Sequence, residues 1–245
     1  MISPIIIIPI YKPTLNEFET ISVNRCFEIL GNYKIRFIAP QGLDISYYKE
    51  YIQRAEIKFL PAKYFKSPQT YNNLLRSLFF FEQLLPHTHM LMYHTDSYVF
   101  RDELMYWCEK GYDYIGAPMY KWDETIEPTK YIGVGNGGFS LHNINSAIHI
   151  LKSWKITYTL KDLNKWYLKY NFNGKVKYLL YYLKSFIGFG RFSKSGFNQC
   201  KINEDVFWGI YVPKSFKNYN VADFNNALKF SMEYNCKKLF EQNGF

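Results

Sequence analysis

Cysteine is scarce. Cys26, Cys108, Cys200 and Cys236 are the four in 245 residues, and no two form a Cys-x-x-Cys pair. That spacing argues against a paired-cysteine zinc site or a dense disulfide framework and suits reduced thiols in a cytoplasm. Long apolar runs are missing as well. The opening MISPIIIIPIYKP holds an apolar run of only about six residues, without the basic start and longer core of a signal peptide. No stretch approaches the roughly 18 apolar residues of a spanning helix, so a soluble or surface-bound protein is expected. The sequence also lacks Gly-x-Ser-x-Gly, Gly-x4-Gly-Lys-Ser/Thr, His-Glu-x-x-His and Gly-x-Gly-x-x-Gly, which weakens the P-loop and dinucleotide readings.

The chain does carry a net charge of +9 and a pI of about 9.1. Such a balance favours anionic partners, phosphorylated substrates or an anionic membrane surface. No Lys/Arg run and no RNP or helix-turn-helix pattern is present, so no nucleic-acid partner is expected. Aromatics reach 20%, with 23 Tyr and 21 Phe, which suits a large core and ring-binding surfaces, although an AT-rich genome gives the same bias.

Ile5 to Ile8 is a β-branched run that predicts a strand buried on both faces, ended by Pro9 to Pro13. Helical spacing follows over Leu15 to Leu30, then the strand KIRFIAP, a helix over Ile45 to Ala55, and the strand IKFLP. Gln69 to Leu85 predicts one strong helix, and HMLMYHTD a buried strand running into Asp96. A short helix over Asp102 to Lys110, the strand YDYIGAPM, and helices over Ser146 to Trp154 and over VADFNNALKFSMEY, with Asp223 near its start, complete the pattern. CKINEDVFWGIYVP reads as a turn followed by a helix or strand. Alternation over the first 120 residues predicts an α/β sheet, mostly parallel at its start. The segments ending at Tyr11, Pro40 and Asp96 are then expected on one edge, where such sheets bind ligands.

Several residues bear on chemistry. Asp96, at the end of a central strand, suits a cation or a ribose hydroxyl, or simply turns the chain. In YIGVGNGGFSLHN, Gly135, Gly137 and Gly138 either mark a hairpin turn or clear side chains so that a ligand meets the backbone. Glu204 and Asp205 are adjacent carboxylates, of which at most one is expected to face a site as general base. Lys12, Arg76, His94 and His142 are lone residues of the kind more often structural or solvated.

Taken in order, IIIIPIYKP, YHTDSYVF, YDYIGAPM, GVGNGGFSLHN and NEDVFWG resemble the motifs of glycosyltransferase-like domains from bacterial surface-polysaccharide loci, assigned to the GT-A fold. The resemblance spans Ile5 to Tyr234. It implies a single domain over residues 1–245, with a GT-A-like, Rossmann-related mixed sheet flanked by helices. Residues 1–120 would be the nucleotide-binding half and 121–245 the donor-sugar and acceptor half. It implies transfer of a sugar from a nucleotide sugar to a glycan or lipid-linked acceptor in polysaccharide synthesis, lipopolysaccharide included, in the cytoplasm at the inner face of the cytoplasmic membrane. The implied donor-binding residues are Pro9, Tyr11, Arg76, Asp96, Ser97, Asn136, Gly137, Gly138 and Phe139. Asp96 is the implied holder of a divalent metal, Mn or Mg, and Asp205 or Glu204 the catalytic base.

Two departures accompany the resemblance. Tyr98 stands where the second Asp of an Asp-x-Asp element is expected. An aromatic-Gly-His segment expected beyond Asn243-Gly244-Phe245 lies outside this sequence. The alternative reading is therefore an inactive sugar- or nucleotide-binding module of the same fold. Lys175 to Phe192, which interleaves cations with aromatics, reads either as a core helix or as a peripheral membrane contact.

Overall fold

The structure, a computed structural model, describes residues 1–120, 131–153 and 202–233. The segment Lys175 to Phe192, read as a core helix or a membrane contact, lies outside the described residues together with Cys200 and Cys236. A mixed six-stranded sheet forms the centre, flanked by helices, in the order β3-β2-β1-β4-β8-β5. Its strands are β1 (Pro4–Pro9), β2 (Lys34–Pro40), β3 (Glu56–Leu60), β4 (His89–Tyr93), β5 (Tyr114–Ile115) and β8 (Phe139–Asn143). The first four pair in parallel, as expected, whereas β8 runs antiparallel to both β4 and β5. Ile5, Ile6, Ile7 and Ile8 are all fully buried, because β1 sits between β2 and β4 and is covered on both faces.

Local signals set the helix ends. For α1 (Glu17–Leu30), the Asn16 side chain accepts from the Glu19 N–H while Glu19 accepts from the Asn16 N–H, each at 2.9 Å. Val23, Cys26, Phe27 and Leu30 form its buried face. The expected helix over Ile45 to Ala55 shrinks to a 3-10 turn (Ser46–Tyr48) and α2 (Lys49–Ile52). The single helix expected over Gln69 to Leu85 is two helices, α3 (Pro68–Leu75) and α4 (Leu78–Glu82). Ser77 causes the break. Its backbone is extended, and its hydroxyl donates to the Leu74 carbonyl at 2.6 Å and accepts from the Phe80 N–H at 3.2 Å, closing one helix and opening the next. α5 (Leu104–Glu109) and α6 (Ile144–Ser153) follow the expected positions.

The strand expected over YDYIGAPM divides at Gly116, giving β5 and β6 (Ala117–Tyr120). Among the described residues β6 pairs with β7 (Tyr131–Gly135) alone, as a separate two-stranded sheet. β7 and β8 therefore belong to different sheets, which corrects the hairpin reading of Asn136–Gly138. Asn136 has a φ of 73°, a left-handed conformation that Asn tolerates, and it redirects the chain from one sheet to the other.

The segment after Asn203 is helical. α7 (Glu204–Val206) runs into a π-helical turn (Phe207–Tyr211) and then α8 (Val212–Ser215). Trp208 is fully buried against Phe81 and His142, and its indole N–H donates to the Leu75 carbonyl at 3.2 Å. Asp223 caps α9 (Phe224–Phe230), accepting from the Asn226 N–H at 3.0 Å. Among the described residues no helix is long and apolar enough to cross a membrane.

The π turn lies directly on β7. A Cβ at Gly209 would stand 1.7 Å from the Val134 carbonyl oxygen, a backbone atom that cannot swing aside. Gly209→Ala is expected to destabilise the protein by roughly 2–3 kcal/mol, the upper part of the usual overpacking range. The midpoint of urea unfolding measures this, and an unshifted midpoint would contradict the packing described.

Candidate functional site

The strand order places a crevice. From β1 the chain builds outward to β2 and β3, then returns to lay β4 on the other side of β1. Such a reversal leaves a gap beyond the carboxyl ends of the two central strands, where α/β sheets hold ligands. Tyr11 and Lys12 leave β1 there, and His94 to Ser97 leave β4. Because β8 runs antiparallel with Phe139 opposite Tyr93, the Asn136–Gly138 turn reaches the same edge. Pro40 also ends there, so the expectation of a shared edge agrees with the observed pairing.

The turn is tightly organised. The Asn136 side chain accepts from the Gly138 N–H at 3.0 Å and the Phe139 N–H at 3.2 Å. The Gly138 carbonyl accepts from the His94 N–H at 2.8 Å and the Ser97 hydroxyl at 3.0 Å. The Asn136 N–H in turn donates to the Asp205 carboxylate at 3.2 Å.

Glu204 and Asp205 both pack against this turn, Glu204 buried and Asp205 half-buried. At the helix start the Glu204 side chain folds back to accept the Asp205 N–H at 2.7 Å, and Asp205 reaches across to Asn136. Glu204 occupies the space a side chain at 137 would need. A Cβ on Gly137 would stand 1.9 Å from Oε1 of Glu204. The absent side chain at Gly137 therefore makes room for a carboxyl group. At Gly138 the nearest atoms to an added Cβ are Oδ1 of Asn136 and Nδ1 of His94, at 3.2 and 3.4 Å.

Burial and mutual repulsion govern the electrostatics. Desolvation, then Asp205, push the Glu204 carboxyl up to about 8, against the Asp205 N–H and the Arg76 guanidinium. Desolvation also raises Asp205, opposed by the backbone N–H groups of Val206, Asn136 and Gly137.

The remaining expected residues are scattered in depth. Asp96 is exposed, close enough to Lys12, His94 and Glu233 to influence each electrostatically. Lys12 pairs with Glu19 at 2.8 Å, and Tyr11 is 59% exposed at the rim. Ser97 is engaged with Gly138, and Phe139 is half-buried between the rings of Tyr93 and Phe230. Pro9 is buried within β1, and Arg76 is buried behind the acid pair, its guanidinium donating to the Asn72 carbonyl and the Asn73 side chain. These two support the crevice from within rather than lining it.

Three further groups belong to the neighbourhood. Tyr71 lies 3.2 Å from His94 Nε2 and responds electrostatically to Glu204 and Tyr11. Burial lowers the His94 pKa, against Asp96. Glu233 is raised by desolvation, Asp205 and Asp96. Helical spacing on α3 carries a signal for Tyr71 once the site is known, whereas nothing in the sequence around Glu233 marks it. His142 is a core residue, held down to about 3 by burial and ringed by Phe81, Tyr114 and Trp208.

Among the described residues no group of three or more His, Cys, Asp or Glu is arranged to hold a metal ion. Tyr98, in the third place of the expected Asp-x-Asp, packs against Phe100 with ring centroids 5.1 Å apart. Asp96 alone offers a single carboxylate, enough only for a cation that keeps most of its own water, as Mg usually does.

A family model matches residues 54–245. The chain belongs to the family described as protein of unknown function (DUF5672). No curated protein matches this DUF5672 chain. Among solved structures it is similar to S. aureus TarS 1–349, at 11% identity and a TM-score of 0.40, covering 63% of this chain and 50% of that one. A second S. aureus TarS structure aligns at 13% identity and a TM-score of 0.39, over 63% of this chain and 30% of that one. The DUF5672 chain thus spans half or less of the length of these two structures.

Gly137→Ala is expected to cost roughly 1–3 kcal/mol, because the buried Glu204 carboxyl would have to leave its seat and its bond to the Asp205 N–H, and Gly138→Ala distinctly less. Thermal melts of the two variants check this ordering, and the reverse order would contradict the seating of Glu204.

Proposed function

We propose that this chain transfers a sugar from a nucleotide-sugar donor to a glycan or lipid-linked acceptor, in a GT-A-like fold. The observation that carries the reading is the seating of one buried and one half-buried carboxyl on a glycine-rich turn at the order-reversal edge of the sheet. The donor occupies the crevice between the ends of β1 and β4, with Tyr11 at the rim, Asp96 and the Asn136–Gly138 turn toward its diphosphate and sugar, and Phe139 supporting that turn from the core side. Asp96 would hold a divalent cation, and such a cation would offset negative charge on the leaving diphosphate.

Asp205 is the general base. Its carboxylate takes the proton of the acceptor hydroxyl as that oxygen bonds to the anomeric carbon. The bond from that carbon to the diphosphate oxygen breaks, and its electron pair leaves with the nucleoside diphosphate. A carboxylate held by backbone N–H groups keeps a fixed direction for this transfer. Residues 1–120 act as the nucleotide half and 121–245 as the sugar and acceptor half of one domain, working at the inner face of the cytoplasmic membrane in surface-polysaccharide synthesis.

A second reading, an inactive sugar- or nucleotide-binding module, is favoured by Tyr98 in place of a second acidic residue. Release of UDP or GDP from nucleotide sugars, in the presence of candidate acceptors, separates the two. Asp205→Asn is expected to lower turnover by about a hundredfold or more while sparing donor binding. Asp96→Ala is expected to weaken donor binding itself. Donor binding without release under any acceptor would favour the binding module, and full turnover in Asp205→Asn would remove Asp205 from the base role.

A further inference from the structure

We infer that Glu204 is a proton-bearing positioning residue, whose neutral carboxyl group fills the seat left by Gly137 and keeps Asp205 as the ionised member of the pair. The catalytic consequence rests on the reading of Asp205 as base; the protonation and seating do not.

Two carboxyls on successive residues are pressed against one turn, away from water. Ionising both would place two like charges in one desolvated space, so the pair holds one proton at neutral pH. Hydrogen-bond donors decide where it resides, since backbone N–H groups favour a charged carboxylate. Asp205 accepts from the Val206 N–H at 2.7 Å and the Asn136 N–H at 3.2 Å. Glu204 accepts from the Asp205 N–H at 2.7 Å. Asp205 is half-buried, whereas Glu204 is only 7% exposed and lies against the Gly137 backbone. The proton therefore belongs on Glu204.

The surrounding groups agree with this assignment. Tyr71 and Arg76 approach from α3, Tyr114 from β5, and Asp205 from the same helix, with Glu233 and Asp96 beyond Asp205. Of these, Arg76 favours the ionised form of Glu204, and burial together with Asp205 outweighs it. The Glu204 N–H is anchored separately, by the Asn72 side chain at 3.0 Å. The glutamate is thus held at backbone and carboxyl, and it fixes the direction in which Asp205 reaches.

The test begins with measurements that need no substrate. Infrared difference spectra between H2O and D2O are expected to show a protonated-carboxyl stretch at neutral pH that disappears in Glu204→Gln. Stability against pH gives the second readout. A proton held up to about 8 in the folded state, against 4.5 unfolded, stabilises fully below 4.5 and loses that contribution as pH rises through 8. Glu204→Gln, which keeps the neutral shape, is therefore expected to gain on the wild type across that window. Absence of the band together with parallel stability profiles would overturn the inference, whatever the enzyme does. Where turnover is measurable, Glu204→Ala is expected to fall by up to about a hundredfold, the scale of an ångström misplacement. Glu204→Gln is expected to recover most of it. Loss in Glu204→Gln as deep as in Asp205→Asn would make Glu204 a reacting group and overturn the positioning role.

Discussion

The Asn136 N–H donated to the Asp205 carboxylate ties together two parts of this molecule that meet at the crevice. On one side lies a turn that passes the chain from the two-stranded sheet to the six-stranded one. On the other lies the head of α7, which Asn72 holds to α3 and which continues into the π turn packed on β7. Because Glu204 fills the space beside Gly137, the turn and the helix cannot shift independently. The crevice geometry and the charge state of the acid pair both depend on that junction.

Much of the fold was legible in residue pattern. The run Ile5 to Ile8 announces a strand buried on both faces, and burial of all four side chains is what a central parallel strand requires. Asn16 with Glu19 and Asp223 with Asn226 cap their helices as their residue types imply. What escaped the pattern was decided by partners distant in sequence. Asn-Gly is locally a hairpin signal, yet β6 claims β7 and β4 claims β8. Periodicity runs unbroken from Gln69 to Leu85, and one hydroxyl at Ser77 interrupts it.

The candidate site was legible as motifs and illegible as depth. Asn136, Gly137, Glu204 and Asp205 stand out by residue type, and the structure brings them together. Their sequence could not reveal that the glycine accommodates a carboxyl, because that contact spans 67 residues of chain. Pro9 and Arg76 carry suitable chemistry but lie behind the crevice, where burial assigns them to support. Tyr71 and Glu233 enter through electrostatic proximity, a property that no spacing rule on a single sequence encodes.

The seam at β4 has a consequence for assembly. This strand joins the parallel half of the sheet to the antiparallel half, and its partners β1 and β8 lie far from it on either side in the chain. Closing such distant pairs loses chain entropy before any contact compensates. The link from Asn136 to Asp205 spans 69 residues, and that from Asn72 to Glu204 spans 132. The acid pair can settle into its seat only when both sheets and α3 are already in place. A nascent or partly unfolded chain thus carries its chemical groups dispersed, and the crevice acquires its charge pattern at the end of folding.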